Sequence, residues 1–468
     1  MRHKNLSKLF LFVAVVAALS GRLLIAFFNT APSEAAQPAA PKYVFIFLAD
    51  GAGVTHMEIT RLFNQHVHKE GLVIPDKIMK EGSLGLLTTH AANSLVTDSS
   101  AGATALACGC KAKNGAVGMC EDGKMPKTVM EIAKEQNMRV GLVTNSTVYD
   151  ATPAAFAGHV TNRNLYSAIL EQYLSLEPNL LLGGGRDQFL PRSHPGSRRR
   201  DDSDVIATFK NKGYAYVSDR QGLSESKGGK VLGLFSLKDM SFELDRDKDK
   251  EPSLSEMTRD AIRLLQEGND RGFIVLIENE NIDSAAHMLD AASVIQAYRE
   301  FDRSVGLAYE FYRKHPAETL LLVTSDHETG GLGFIGGSSS RPSFEELKKI
   351  QSIRISFSKA VGILGPNPSS EAVDKLLSEH FKGFVLAPEL KEAIVKKKPF
   401  GPAFRLNPTA AALSAMVSSH TQAYWLSSGH TNQPVFVAAL GVGAERFRGY
   451  QDNTDFAKHL FALLEQKK

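Results

Sequence analysis

A chain of 468 residues with 43% hydrophobic content can bury a large core, so one big domain with an elaboration is expected. The formal net charge of +3, with 22% charged residues, singles out no partner class. The only dense basic run, Arg198-Arg199-Arg200, is followed at once by Asp201-Asp202 and reads as a solvated loop, not as the basic face of a nucleic-acid binder.

At the N-terminus, Arg2, His3, Lys4 and Lys8 precede an apolar run over 9–19, and the small residues Ala31-Pro32-Ser33-Glu34-Ala35-Ala36 follow. This is the pattern of a secretory signal, with cleavage near Ala35 or Ala36 and export to a periplasm or the outside. A second apolar piece, 23–28, makes an uncleaved membrane anchor the alternative, although Arg22 interrupts the roughly 20 apolar residues that a span needs. Residues 1–36 are set aside for the fold. No other stretch is apolar enough to span a bilayer.

The near-continuous apolar run 42–49 suits a central parallel strand buried on both faces. It ends in Asp50-Gly51-Ala52-Gly53. Carboxylates past the carboxyl end of such a strand are where open α/β sheets put their chemistry; an ordinary turn Asp before Gly is the plainer reading. A strand over 84–88 follows. Asp98-Ser99 then opens a tightly packed helix through Ser100-Ala101-Gly102-Ala103-Thr104-Ala105. Ser99 falls near its N-cap, where free N–H groups and the helix dipole can hold an anion. Taken alone, an Asp/Ser cap is sufficient explanation.

Cys108, Cys110 and Cys120 share one window. They read as structural, either as a Cys110–Cys120 disulfide in an exported protein or as small buried residues, and their spacing matches no zinc pattern. A helix is predicted over 128–136 and a strand over 139–144. After it come Tyr149-Asp150-Ala151-Thr152-Pro153 and His159-Val160-Thr161-Asn162-Arg163. A strand over 180–182 leads into three glycines, 191–204 reads as a polar loop, and 213–251 as short strands and turns. Ser253 and Glu256 form a capping-box signature for a helix reaching about Glu267.

The buried run 272–277 ends at Glu278. Asp283 and His287 follow at i, i+4, on one helix face. A long amphipathic helix is predicted over 292–314, then a strand over 319–323 ending in Thr324-Ser325-Asp326-His327-Glu328. From Gly330 the chain turns Gly/Ser-rich, then lysine-rich and helical. Residues 334–426 read as an insertion folded over the sheet, between the two parts of a catalytic domain, 37–333 and 427–468. His430 lies just before a last strand over 435–440, and a helix over 455–464 closes the chain. Alternating buried strands and helices indicate a doubly wound, mainly parallel α/β sheet.

Three histidines and several carboxylates thus fall at one predicted sheet edge. Mixed His and carboxylate ligands suit zinc, and the oxygen ligands of Asp50, Thr152 and Glu278 suit magnesium. A serine at a helix start, with metals and an arginine nearby, fits phosphoryl transfer through a covalent intermediate.

In this order, Asp50-Gly51-Ala52-Gly53, Val96-Thr97-Asp98-Ser99-Ser100-Ala101-Gly102-Ala103-Thr104-Ala105, Asp150-Ala151-Thr152-Pro153, Asp283-x-x-x-His287, Asp326-His327 and Gly429-His430-Thr431 resemble the motif series of the alkaline phosphatases. The resemblance implies a phosphate monoesterase with a crown-like insertion. It implies Ser99 as the nucleophile that becomes phosphoserine and Arg163 as the clamp on two phosphate oxygens. Asp283, His287 and His430 would hold one zinc ion, and Asp326 and His327 a second. Asp50 would bridge to a magnesium ion completed by Thr152 and Glu278, with Asp150 acting through that ion's waters. Small-molecule monoesters are the implied partners, and a homodimer is allowed. Two positions depart from the family pattern: Glu280, a rival to Glu278, and Ser284, where relatives often carry Lys or His. A phosphodiesterase of the same superfamily and a non-catalytic phosphate-binding surface protein are the alternative functions.

Overall fold

The computed structural model describes residues 40–336, 342–399 and 407–465; the expected signal or anchor over 1–36 lies outside them. Within the described chain the strands are β1 (Tyr43–Ala49), β2 (Ser83–Leu87), β3 (Arg139–Thr147), β4 (Leu180–Gly184), β5 (Ala215–Val217), β6 (Val231–Leu234), β7 (Phe273–Asn279), β8 (Thr319–Thr324), β9 (Glu328–Thr329), β10 (Gly333–Phe334), β11 (Ala423–Tyr424), β12 (His430–Thr431), β13 (Val435–Gly441) and β14 (Gly449–Gln451). Ten of them form one sheet in the order β14-β2-β13-β8-β1-β7-β3-β4-β6-β5. Only β13 runs against its neighbours β8 and β2; the remaining pairs are parallel. β9 with β12, and β10 with β11, make two small antiparallel ladders.

β1 lies centrally, and its sequence shows why. Val44, Ile46 and Leu48 pack into the core on one face of the sheet, while Tyr43, Phe45, Phe47 and Ala49 pack into the core on the other. With apolar side chains required on both faces, alternation disappears and the strand reads as a continuous hydrophobic run.

The helices that matter for the site are α1 (Val54–Phe63), α2 (Ser99–Cys108), α3 (Ala151–Ala157), α4 (Leu254–Gln266), α5 (Asn281–His287) and α6 (Ala291–Lys314). The Ser253/Glu256 capping box forms, with the Ser253 hydroxyl accepting from the Glu256 N–H at 3.2 Å and the Glu256 carboxylate accepting from the Ser253 N–H at 2.9 Å. Helices between Phe344 and Thr421 share a third apolar core, in which Leu347, Phe357, Leu376 and Leu413 join Ile59 and Phe63 of α1 and Ile295 of α6.

Three differences from the sequence expectations bear on the site. Glu278 sits inside β7, not beyond its end. Asp98 is the N-cap of α2, and Ser99 is its first helical residue. The segment after Asp150, read as a polar stretch, is the short buried helix α3. The cysteine question is also settled: Cys110 and Cys120 are joined, and Cys108 is free and buried, its thiol pushed up to about 12 by burial and then by Glu131.

Candidate active site

Register brings the site together. Leu48 on β1 pairs with Glu278 on β7 and with Thr324 on β8, and Glu278 pairs with Thr144 on β3. One edge of the sheet therefore leads from β1 into Asp50 and from β8 into Asp326-His327, and carries Glu278 itself. Because β13 is antiparallel to β8, its amino end lies at this same edge, and β12 with His430 just precedes it. Gly51 is required by two constraints: its φ is +72°, and a Cβ there would stand 2.8 Å from the Asp283 Cα.

The start of α2 separates capping from chemistry. Asp98 Oδ1 accepts the Ala101 N–H at 2.9 Å, and Asp98 Oδ2 accepts the Ser100 hydroxyl at 2.7 Å and the Gly115 N–H at 2.8 Å. The cap is thus fully served by Asp98. The Ser99 hydroxyl has no capping duty, and its Oγ lies 3.3 Å from His327 Nε2.

Two groups could each hold a cation: Asp283 with His287 and His430, and Asp50 with Asp326 and His327. In the first, His287 Nε2 is 3.0 Å from Asp283 Oδ2 and 3.1 Å from His430 Nε2. The Nδ1 atoms of both rings face carbonyl oxygens, of Ser428 at 2.7 Å and Thr97 at 2.8 Å. A ring that donates from Nδ1 presents a bare lone pair at Nε2 when neutral. With the two Nε2 atoms 3.1 Å apart, one ring carries a proton between them when no metal is bound, and a cation shared by both takes that proton's place. In the second group His327 Nε2 is 3.2 Å from Asp326 Oδ2 and 3.6 Å from Asp50 Oδ1. The imidazoles of His327 and His430 stack with centroids 3.6 Å apart, so the two groups adjoin.

The charge balance makes the same demand. Asp50 Oδ1, Asp326 Oδ2 and Glu278 Oε1 are buried without a hydrogen-bond partner. Burial, then repulsion from Asp326, Asp283 and Glu278, raises Asp50 well above the usual carboxylate range. Burial and Asp150 push Glu278 up to about 8, and burial and Asp283 push Asp326 up to about 7. His327 is held well below its ordinary value by burial and by His430. Asp283 is opposed by burial, yet its bond to His287 keeps it low; burial also pulls His287 down, and Asp283 outweighs it to place His287 at about 9. Orphaned acceptor oxygens and crowded acids fit divalent cations around Asp50, Asp326 and Glu278, while the facing Nε2 atoms of His287 and His430 beside Asp283 fit one in the first group.

A third set shares Asp50. Its Oδ2 takes the Thr152 hydroxyl at 3.4 Å, while Glu278 Oε2 takes the Thr144 hydroxyl at 2.6 Å. These are oxygen atoms alone. Arg163 reaches the same region: it donates to Asp150 Oδ1 at 2.9 Å and approaches Asp98 Oδ2 at 3.8 Å. Burial works against its charge, and Asp150 and Asp98 more than restore it.

The rival acid Glu280 is buried too, its Oε2 without a hydrogen-bond partner, and it adds to the repulsion on Asp50. It accepts the Ser284 hydroxyl at 2.6 Å, and after burial its largest influences are Asp239 and Asp150. Asp239, which the sequence did not single out, is bound to Ser146 Oγ and the Thr147 N–H, both at 3.2 Å. Also missed were Thr144, Glu328 and Thr329, whose hydroxyl donates to Asp283 Oδ1. The available signal was position: a polar side chain at the carboxyl end of a buried strand or directly after a candidate ligand.

A mainly parallel sheet whose carboxyl edge gathers two cation-capable groups beside a freed serine has the layout of an open α/β enzyme that uses metal ions. Comparison with known proteins narrows the class. The family model for alkaline phosphatase matches residues 41–466. An alkaline phosphatase of Schizosaccharomyces pombe is 32% identical over 446 residues, covering 90% of this chain and 80% of that protein. Alkaline phosphatase 3 of Bacillus subtilis is 32% identical over 432 residues, covering 91% and 89%. The crystal structure of Thermus thermophilus alkaline phosphatase superposes with a TM-score of 0.83 at 29% identity over 94% of each chain. The chain belongs to the alkaline phosphatase family and is a phosphoric monoester hydrolase.

Proposed function

We propose that this protein hydrolyses phosphate monoesters to an alcohol and inorganic phosphate through a phosphoserine at Ser99, on a site of two zinc ions and one magnesium ion. The observation that carries the reading is the division of labour at α2: Asp98 does the capping, leaving Ser99 Oγ free, 3.3 Å from His327 Nε2. Asp283, His287 and His430 would hold one zinc ion; Asp326, His327 and Asp50 the other; Asp50, Thr152 and Glu278 the magnesium. Mixed nitrogen and carboxylate donors suit zinc, and the oxygen-only set suits magnesium. Bound there, the ions would acidify a hydroxyl or water and neutralise charge on the entering and leaving oxygens.

Ser99 Oγ attacks phosphorus as the bond to the alcohol oxygen breaks, and the alcohol departs with a proton. Water then attacks the phosphoserine, the bond from phosphorus to Oγ breaks, and Ser99 recovers its hydroxyl. The Arg163 fork and the N–H groups opening α2 bind the phosphate oxygens. Asp150 holds Arg163 in place at 2.9 Å. Arg163 and the complete oxygen set favour monoesters, whose extra negative charge they balance, over diesters. The apolar N-terminal run and the Cys110–Cys120 disulfide support export, to a periplasm or the outside. We read 334–426 as an insertion and 37–333 with 427–468 as the catalytic body.

Ser99→Ala tests the reading beside chelated and metal-restored wild type, with a monoester and a diester of one aryl alcohol. The expected result is a fall in monoesterase kcat of at least about 10⁴-fold in the variant, activity lost on chelation and regained with zinc and magnesium, and a slower diester rate. Wild-type turnover by Ser99→Ala would exclude the phosphoserine.

A further inference from the structure

Glu328 is 2% exposed, and no step above uses it. It lies on β9, where it pairs with Thr431 of β12, while its neighbour Thr329 pairs with His430. Its Oε2 accepts the Thr431 hydroxyl, and its Oε1 accepts the Gly331 N–H at 2.8 Å. Gly53 leaves room for this side chain, since a Cβ there would lie 2.4 Å from Glu328 Cγ. His56 stands nearby, its Nδ1 3.8 Å from Oε1, but that nitrogen accepts the Gly53 N–H at 3.1 Å and has no proton to offer the carboxylate. The carboxylate is therefore spent on the N–H groups of Gly331 and Leu332 and on the hydroxyl of Thr431, the residue next to His430.

Backbone bonds of Gly330 with Gly429, Leu426 and Ser427 hold the chain before His430, and the two-residue ladder adds little to them; the Thr431 hydroxyl bond to Glu328 holds the chain after it. Between these holds, β12 must place His430 Nε2 3.1 Å from His287 Nε2 and 3.8 Å from Asp283 Oδ1. We infer that Glu328 is a positioning residue that clasps β12 onto β9 through Thr431 and so holds His430 in the metal group it shares with Asp283 and His287.

The inference rests on the zinc reading above, and its test reads metal retention, not turnover. Zinc-loaded wild type, Glu328→Ala, Thr431→Val and Thr431→Ser are mixed with excess chromogenic chelator, and zinc release is followed. Glu328→Ala and Thr431→Val each speed loss of one of the two zinc equivalents by about tenfold, the usual cost of removing a residue that orients a ligand. The other equivalent leaves at the wild-type rate. Thr431→Ser, which keeps the hydroxyl, releases zinc as wild type does. The double variant loses zinc no faster than Glu328→Ala, because both changes remove the same bond.

Release at the wild-type rate in Thr431→Val, equal acceleration of both equivalents, or additive effects would overturn the clasp. Should Glu328→Ala fail to fold, the Val and Ser exchanges at Thr431 decide alone. Wild type that takes up no zinc would overturn the metal reading and the clasp with it, and shows itself before any variant is compared.

Discussion

Arg163 shows how neighbouring acids hold one guanidinium in place. Its guanidinium is anchored to Asp150 at 2.9 Å and lies 3.8 Å from Asp98, which also caps α2. One carboxylate thus fixes the helix that carries Ser99 and steadies the arginine beside it. A bidentate, charge-assisted clamp contributes on the order of 1.5–3 kcal/mol, so Arg163→Ala is expected to lower kcat/KM for monoesters by about 10- to 100-fold. Arg163→Lys keeps the charge but loses the planar fork, and steady-state kinetics should show it failing to restore the wild-type value. Phosphate inhibition constants check the same point, since under the proposed mechanism product phosphate would meet the same fork.

At the scale of elements, two helices begin with comparable caps and differ in what depends on them. Ser253 caps α4 at 3.2 Å from the Glu256 N–H, and among the described residues its hydroxyl bonds only Glu256 and Ser255, whereas Asp98 caps α2 at 2.9 Å from the Ala101 N–H and also reaches Arg163. Ser253→Ala is expected to cost about 1 kcal/mol of stability and leave kcat unchanged. Asp98→Ala costs a similar amount and also lowers kcat, because the first turn of α2 sets where Ser99 stands. Denaturant unfolding with parallel kinetics separates the two; an unchanged kcat in Asp98→Ala would show that other contacts place the serine.

For the whole molecule, the crowded acids tie stability to metal and pH. Without a cation, burial and neighbouring acids push Asp326 up to about 7 and Glu278 up to about 8, against roughly 4 for carboxylates in an unfolded chain. The metal-free native state then binds more protons than the unfolded state between those values, so its stability falls as pH rises through that window. Bound cations replace the protons and cancel the repulsion. The melting midpoint gained on restoring zinc and magnesium to chelated protein should therefore be larger near pH 8.5 than near pH 6, as scanning calorimetry at both would show. A gain independent of pH would mean that these carboxylates do not face the metals.

What could be read without coordinates was local. The run of β1, the capping box of α4 and the Asp-x-x-x-His spacing of α5 are written in consecutive residues, because strand and helix periods are short. The ligand candidates were legible for the same reason, each standing at the end of a recognisable element. The sequence left open whether Asp98 or Ser99 caps α2 and whether Cys110 and Cys120 pair, and it favoured Glu278 over Glu280 by position alone. Those answers depend on partners far away along the chain: on the register that sets Glu278 beside Leu48 and Thr144, and on the ladder that sets Glu328 against Thr431. The sequence by itself determined which elements form and which side chains lie at their ends. Only the tertiary structure decided which of those side chains meet, because register and strand order are properties of the whole sheet and of no segment within it.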